Sequence, residues 1–443
     1  MQFHFISIGG AVMHNMALAL YNKGYQVTGS DDEIFEPARS RLAAKGLLPP
    51  HEGWFEENIH LGLDGVILGM HARKDNPELL KAQQLGLKIY SFPEFIFEQS
   101  KNKKRIVIGG SHGKTTSTAM LMHVLKELNY EFDYMVGSQL SGFETMVKLT
   151  ESAPIIILEG DEYLTSALDL RPKFHIYHPQ LAMLTGIAWD HINVFPTFEN
   201  YIDQFRIFIA QLPAGAPLIY FEGDEYLKLL AAERSDIIAK PYHTPEYSID
   251  KGVCNILDGT QTYTLKIFGE HNLQNMEGVR LLAENLGIGK EAFYKAMSTF
   301  AGTARRLEVI QERETSIYFR DFAHSPSKLK ATTEAVKTQF PDRKLTACFE
   351  LHTYSSLNKQ FLKEYKNCMD MADEAIVFFN PHVFEIKKME LLTDDDIHLN
   401  FGAQIQCFHS GTSLHEYLEK QDWNNHNLLL MSSGTFDGMV VDF

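Results

Sequence analysis

Apolar runs ending in glycine or polar tips recur along this chain, separated by segments of helical spacing. Phe3 to Ile8 reads as a strand, Gly9-Gly10 as a turn, Met13 to Asn22 as a helix, and Gln26 to Gly29 as a second strand ending at Asp31. An acidic residue about 20 positions after such a turn is the βαβ opening of a dinucleotide-type fold. The glycine pattern is incomplete, because Ser7 and Asn15 stand where glycines are expected. A plain βα unit gives the same signal, so this turn alone does not fix a ligand.

The next apolar strand, Arg105 to Ile108, runs into Gly109-Gly110-Ser111-His112-Gly113-Lys114-Thr115, and a helical segment follows from Thr116 to Leu128. A glycine turn between a strand and a helix N-terminus is a phosphate cradle, with inward N–H groups and a favourable dipole. Lys114 supplies a charge for β/γ-phosphates and Thr115 a hydroxyl for Mg²⁺. The strict motif wants glycine where Ile108 stands. Further buried strands are predicted at Ile155 to Leu158, ending at Glu159, and at Leu181 to Ile187, ending near Asp190-His191. SIYFRDFAHSP, KLTACFELH, EAIVFFNP and NLLLMSSGT read as carboxyl ends of parallel strands, and TYTLKIFGEHNLQN as a strand followed by a helix. The expected architecture is α/β in three domains, about residues 1–100, 101–302 and 303–443, with Rossmann-like first and last blocks around a P-loop block. SKNKKR (Ser100 to Arg105) reads as a solvated linker.

Composition narrows the function. A chain of 443 residues suggests two to three domains. Its 44% apolar and 22% charged shares are those of a soluble globular protein. A net charge of −16 argues against nucleic acid or an anionic membrane as main partner, so phosphates must be held by glycine loops and a few cations. The four cysteines show no paired spacing, which implies neither a disulfide framework nor zinc and fits a reducing cytoplasm. No apolar run of about 18 residues appears, and a core strand starting almost at Met1 leaves no room for a removable leader.

Several polar clusters stand at strand ends. Glu159-Gly160-Asp161-Glu162 offers carboxylates for Mg²⁺, though an acidic loop is equally a solvated one. His191 could serve a cation or a phosphate. Asn272 and Asn275 share a helix face and suit the edge of an adenine, but asparagine there is more often a cap. Arg305-Arg306 could grip a phosphate. Asp321 and His324 offer a carboxylate for a ribose and an imidazole near reacting groups.

In this order the clusters resemble the Mur ligase family, which joins an amino acid or peptide to a UDP-muramoyl carboxylate using ATP. GSHGKTT is similar to its GTxGKT loop, GEHNLQN to GxHNxxN, and TARRLE to its arginine segment before the third domain. The resemblance spans essentially the whole chain. It implies ATP and Mg²⁺ as cofactors. Gly110, Ser111, His112, Gly113, Lys114, Thr115 and Thr116 would cradle the nucleotide, and Thr115, Glu159 and His191 would ligate metal. Asn272 and Asn275 would meet adenine, Arg306 a phosphate, Asp321 the ribose, and His324 the incoming amine. Gly9, Gly10, Met13, Ser30 and Asp31 would contact the UDP-sugar, and His352 the acceptor. Arg206 occupies the place where sister ligases carry a carbamylated lysine, so no carbamate is expected.

Within the family, LEGDEYLTSALDLRPKFHIYHPQLAMLTGIAWDH and LLLMSSGTFDGM resemble the branch that attaches a ready-made tripeptide, L-alanyl-γ-D-glutamyl-meso-diaminopimelate or a similar peptide, to UDP-N-acetylmuramate in peptidoglycan recycling. The alternative acceptor is L-alanine, in de novo synthesis. His352 replaces the arginine of that branch's third-domain EPRSN-like segment, and Ser325 replaces a second histidine. The implied chemistry activates a carboxylate as an acyl phosphate, which an amine then captures. A catalytically silent nucleotide-binding regulator on the same fold is the reading from another class. A dehydrogenase would leave the phosphate loop unexplained. Monomer or weak homodimer, with no nucleic acid and no membrane, completes the expectation.

Overall fold

Each glycine turn singled out above follows a parallel strand. The computed structural model describes residues 1–70, 72–166, 168–190 and 194–443. It divides into one unit of Met1–Ile187, Ile202–Tyr242 and Leu281–Gly287, and another of Ala188–Tyr201, His243–Arg280 and Ile288–Phe443.

The first unit holds two sheets. Four parallel strands lie in the order Gln26–Ser30, Gln2–Ile6, Gly65–Leu68, Ile89–Ser91. The first strand stops at Ile6 rather than Ile8, because Ser7 takes the left-handed conformation (φ 69°) and the Ser30 carbonyl accepts both the Ser7 and Ile8 N–H groups, at 2.9 and 3.1 Å. The helix Ala11–Asn22 is buried at every position from Met13 to Leu20. Such a helix must be covered on more than one side. It packs on the strand Gln26–Ser30 and also on the strand Val147–Lys148 of the second sheet.

That second sheet runs Ile238–Tyr242, Pro217–Phe221, Leu181–Leu184, Lys104–Gly109, Ile155–Gly160, Asp133–Met135, Val147–Lys148, with only the last pair antiparallel. Its middle strands are continuous apolar runs because both faces are covered. SKNKKR is no solvated linker. Lys103 and Arg105 are buried: Lys103 Nζ donates to the carbonyls of Thr150 (2.8 Å) and Ala153 (2.7 Å) and pairs with Asp133 at 3.0 Å. Arg105 donates to the carbonyls of Tyr177 and Ser100, each at 2.9 Å. Cations at these positions satisfy carbonyls that would otherwise be buried unpaired.

In the second unit, Tyr247–Asp250, Val253–Asp258 and Gln261–Leu265 form an antiparallel meander where the sequence showed little regularity. A six-stranded sheet follows in the order Glu308–Glu312, Ile317–Asp321, His426–Met431, Lys344–Glu350, Glu374–Phe378, Gln406–Phe408. All its pairs are parallel except the first, which carries an irregularity between Val309 and Gln311. Among the described residues no helix is long and apolar enough to cross a membrane.

Candidate active site

The strand Lys104–Gly109 delivers the chain into the glycine turn, and the helix Lys114–Glu127 leaves it, starting two residues earlier than predicted. Gly110 (φ 132°) and Gly113 (φ 75°) are both left-handed. A Cβ on Gly110 would lie 2.1 Å from Thr185 Oγ1, so no side chain fits there. Ile108 is fully buried in the strand, and the turn begins beyond it, so the turn forms with isoleucine where the strict motif has glycine. The neighbouring strand Leu181–Leu184 braces the turn from behind. Ser111 N–H donates to Gly186 O at 2.9 Å, and Thr185 Oγ1 donates to Gly109 O (3.2 Å) and to His112 O. Gly186 (φ 151°) has His112 Nε2 only 2.6 Å from where a Cβ would stand. Thr116 is buried within the helix.

Lys114 lies across the turn. Its Nζ donates to Gly110 O at 2.5 Å and to Glu162 Oε2 at 2.6 Å, and Glu162 is 1% exposed. Burial works against the ammonium, but Glu162, Asp161 and Glu159 outweigh it and hold its pKa above the ordinary lysine value. Thr115 Oγ1 donates to Glu159 Oε1 at 2.9 Å, and Gly137 N–H donates to the other oxygen at 2.9 Å. Burial raises the Glu159 pKa, against the pull of the Gly137 N–H, Lys114 and Thr115. Asp161 pairs with Lys173 at 2.5 Å. Mg²⁺ prefers oxygen donors and commonly takes only one or two protein carboxylates beside phosphate and water. The adjoining Thr115 and Glu159 oxygens fit that habit. The described residues contain no cluster of three metal-binding side chains.

The first glycine turn is closed by its own acid. Asp31 Oδ2 accepts Gly9 N–H at 2.7 Å and Oδ1 accepts Asp32 N–H at 3.0 Å. Burial pushes this carboxyl up to about 6. Ser30 is turned inward. Its hydroxyl donates to Glu78 Oε1 at 2.6 Å and accepts from Asn58 at 3.0 Å, which leaves no surface atom for the expected sugar contact. Gly10 precedes the helix without a side-chain cap, and Met13 is buried. Asn15, standing for a glycine, is a strut. Its Oδ1 accepts Met146 N–H at 3.0 Å and its Nδ2 donates to Ala11 O at 2.8 Å.

In the second unit, Arg306 stacks over Phe322 at 5.0 Å, and its charge reaches His271, Asp321 and His324. Burial and Arg306 together hold His271 near 4. Asp321 accepts Leu307 N–H through Oδ2 and Ala323 N–H through Oδ1, both at 2.7 Å. Both oxygens thus hold the chain turns around them, a role the ribose expectation did not include. Asn272 and Asn275 are buried, and Asn272 Nδ2 donates back to Phe268 O at 2.8 Å. His324 Nδ1 donates to Phe322 O at 2.8 Å, so Nε2 carries the lone pair. Lys328 Nζ stands 3.5 Å from that nitrogen and 3.6 Å from Asp190 Oδ2. The sequence reading missed Lys328, although it sits four residues after His324. His352 lies by Ser433 (3.5 Å) and its carbonyl accepts from Lys387; burial lowers its pKa. Ser325 precedes the helix Pro326–Gln339 without capping it.

Arg206, in the first unit, pairs with Glu233 at 2.9 Å and with Asp203 on an exposed face. His191 lies outside the described residues.

Sequence comparison gives the family. The profile of the Mur ligase family catalytic domain matches residues 2–104, and that of the Mur ligase middle domain matches residues 108–283. The UDP-N-acetylmuramate–L-alanine ligase of Caldicellulosiruptor bescii is 31% identical over 85% of this chain and 83% of its own length. That of Agathobacter rectalis is 27% identical over 97% of this chain and 95% of its own length. A murein peptide ligase from Psychrobacter arcticus superposes with a TM-score of 0.68 at 22% identity, covering 99% of this chain and 97% of that one. The UDP-N-acetylmuramate-alanine ligase of Thermotoga maritima gives 0.70 at 22% identity, covering 98% and 96%. The fold is the three-domain α/β architecture of these structures.

Proposed function

This chain belongs to the Mur ligase family, an ATP-dependent ligase family, and we propose that it joins L-alanine to the carboxylate of UDP-N-acetylmuramate. The acceptor follows the curated relatives named above. The observation that carries the nucleotide half is Lys114, anchored by Glu162 over a braced glycine turn beside the Thr115–Glu159 oxygen pair.

A carboxylate is a poor acyl donor, so its oxygen first attacks the γ-phosphorus of ATP and ADP leaves. Lys114 and the turn amides other than that of Ser111, which is taken by Gly186, hold the phosphate oxygens as charge moves across them. Thr115 and Glu159 would hold Mg²⁺, which supplies further neutralisation of phosphate charge when bound. The amine then attacks the acyl phosphate, the C–N bond forms, inorganic phosphate leaves, and the amine loses a proton. His324, with its lone pair on Nε2, is the residue proposed near that amine. Holding the reactants in line accounts for most of the acceleration.

A second reading keeps the chemistry and changes the acceptor to the tripeptide. It is favoured by the segment from Asp161 to Pro179, whose likeness to the recycling branch is noted above and whose Lys173 pairs with Asp161 beside Lys114. Phosphate release with ATP, UDP-N-acetylmuramate and either L-alanine or the tripeptide separates the two. Release with neither acceptor would end both readings.

A further inference from the structure

Two lysines, not one, are held at the carboxyl end of the strand Ile155–Gly160. Lys114 rests on Glu162 at 2.6 Å, and Lys173 rests on the preceding residue, Asp161, at 2.5 Å. The first is the phosphate lysine of the glycine turn. The second has no part in any step above.

The backbone fixes Lys173 on both sides. Its N–H donates to Tyr163 O at 2.9 Å, and the N–H of Phe174 donates to Asp161 O at 3.1 Å. A Cβ on Gly109, the last strand residue before the phosphate turn, would lie 3.5 Å from the Phe174 ring. The short helix Lys173–Ile176 is thus packed against the entry to that turn. The Lys173 ammonium lies over the rings of Tyr163 and Phe92, 5.7 and 5.8 Å from their centroids. Phe92 directly follows the strand Ile89–Ser91 of the first sheet. Lys173 therefore stands between the carboxyl ends of parallel strands from two sheets, the ends at which such sheets bind ligands. One sheet belongs to the block expected to take the sugar nucleotide, and the other carries the triphosphate turn.

An ammonium has three donors. Among the described residues Asp161 is the one hydrogen-bond acceptor of the Lys173 side chain, which is only 11% exposed. A pair that merely fastened the short helix would leave two nearly buried donors unused, and such donors are ordinarily matched. Charge says what would match them. Glu159, Asp161 and Glu162 already crowd this strand end, and the ligase reaction brings a triphosphate and an acid to it. Two anionic reactants repel one another as they close, and a cation for each offsets that repulsion.

We propose that Lys173 receives the carboxylate of the sugar acid and holds it toward the phosphate turn, an assignment that rests on the ligase reading. Lys114 keeps the phosphate, Asp161 keeps Lys173 in place, and the two remaining N–H groups of Lys173 take the acid.

The test compares binding heats of UDP-N-acetylmuramate, UDP-N-acetylglucosamine and ATP on the full chain. UDP-N-acetylglucosamine is the same sugar nucleotide without the lactyl carboxylate. In Lys173→Gln the affinity for UDP-N-acetylmuramate is expected to fall, and its KM to rise, about ten- to hundredfold, the span of one charge-assisted hydrogen bond. UDP-N-acetylglucosamine and ATP should bind as in wild type, and Lys173→Arg should recover part of the loss. Adding Asp161→Asn to Lys173→Gln should not restore affinity, which separates a lost cation from a stranded carboxylate that repels the acid. Full recovery in that double variant overturns the proposal. So does an equal loss for both sugar nucleotides, the mark of a purely structural bridge, or a loss confined to ATP. Unchanged affinity in Lys173→Gln, or a wild type that binds both sugar nucleotides equally, overturns it too. Binding heat needs no turnover. A Lys173-dependent preference for the acid without any ADP formation would therefore sink the ligase reading and leave the site standing.

Discussion

Lys328 holds its ammonium 3.5 Å from Nε2 of His324, the ring nitrogen left with a lone pair because Nδ1 donates to the Phe322 carbonyl. Burial first, and then the Lys328 charge, press the imidazole down to about 3, with Asp190 pulling the other way. Lys328→Met is expected to raise the His324 pKa while leaving it below 6.5, since burial persists. An NMR titration of the ring protons reads this directly. A ring that titrates identically in the variant would remove Lys328 from its environment.

The same depressed pKa makes stability depend on pH. Between about 3 and 6.5 the unfolded chain binds the proton and the folded chain does not, so stability rises with pH across that window and falls as acid is added. His271, held near 4, acts in the same direction. Asp31 has the opposite sign. With its carboxyl raised to about 6 from 3.8, the folded state binds the extra proton, and its contribution is full below 3.8 and lost as pH rises through 6. Asp31→Asn keeps an oxygen for the Gly9 N–H, so the variant should gain on wild type as pH climbs from 4 to 7. Urea melts at stepped pH would show the two curves converging or diverging; parallel curves would contradict this.

Lys114 and Glu162 are a buried pair, and removing one partner strands the other. Lys114→Met is expected to abolish ATP-dependent phosphate release and also to lower stability by about 3 kcal/mol. Adding Glu162→Gln should restore much of the stability and none of the activity. Denaturant midpoints for the two single variants and the double variant check this. If the double variant is no more stable than Lys114→Met, the pair does not carry that energy.

Gly186→Ala tests the brace. A methyl group there meets His112 at 2.6 Å on a backbone of φ 151°. The turn must shift, and a rise in ATP KM is expected with a loss of about 1–3 kcal/mol in stability. Normal ATP KM would mean that the brace does not set the shape of the turn.

The parallel strands and their glycine tips were legible in the sequence because apolar runs and turn residues are local signals. The departure at Ile108 was also legible, and its place in the strand ahead of the turn was not, since that depends on where the turn starts. Burial added a role that strand-end position does not show. Ser30 and Asp321 stand at strand ends, where ligand contacts are expected, and both also hold neighbouring chain with their polar atoms. In the other direction, Lys103 and Arg105 of SKNKKR look solvated until Thr150, Ala153 and Tyr177 are folded against them. Lys328 had a readable spacing from His324, but helical spacing alone does not say that a side chain will turn to meet a ring. Thr185 and Gly186 reach the glycine turn only through strand pairing, which no short window of sequence contains.

Asn15 takes the amide of Met146, and the helix that bears it has no wettable side from Met13 to Leu20. The opening hundred residues are therefore not a module to be lifted out for separate expression or crystallisation. Severing the chain in SKNKKR would bare one flank of that helix and orphan the carbonyls that Lys103 and Arg105 cap. Whoever designs fragments or fusions of this enzyme should place the cut beyond the second sheet.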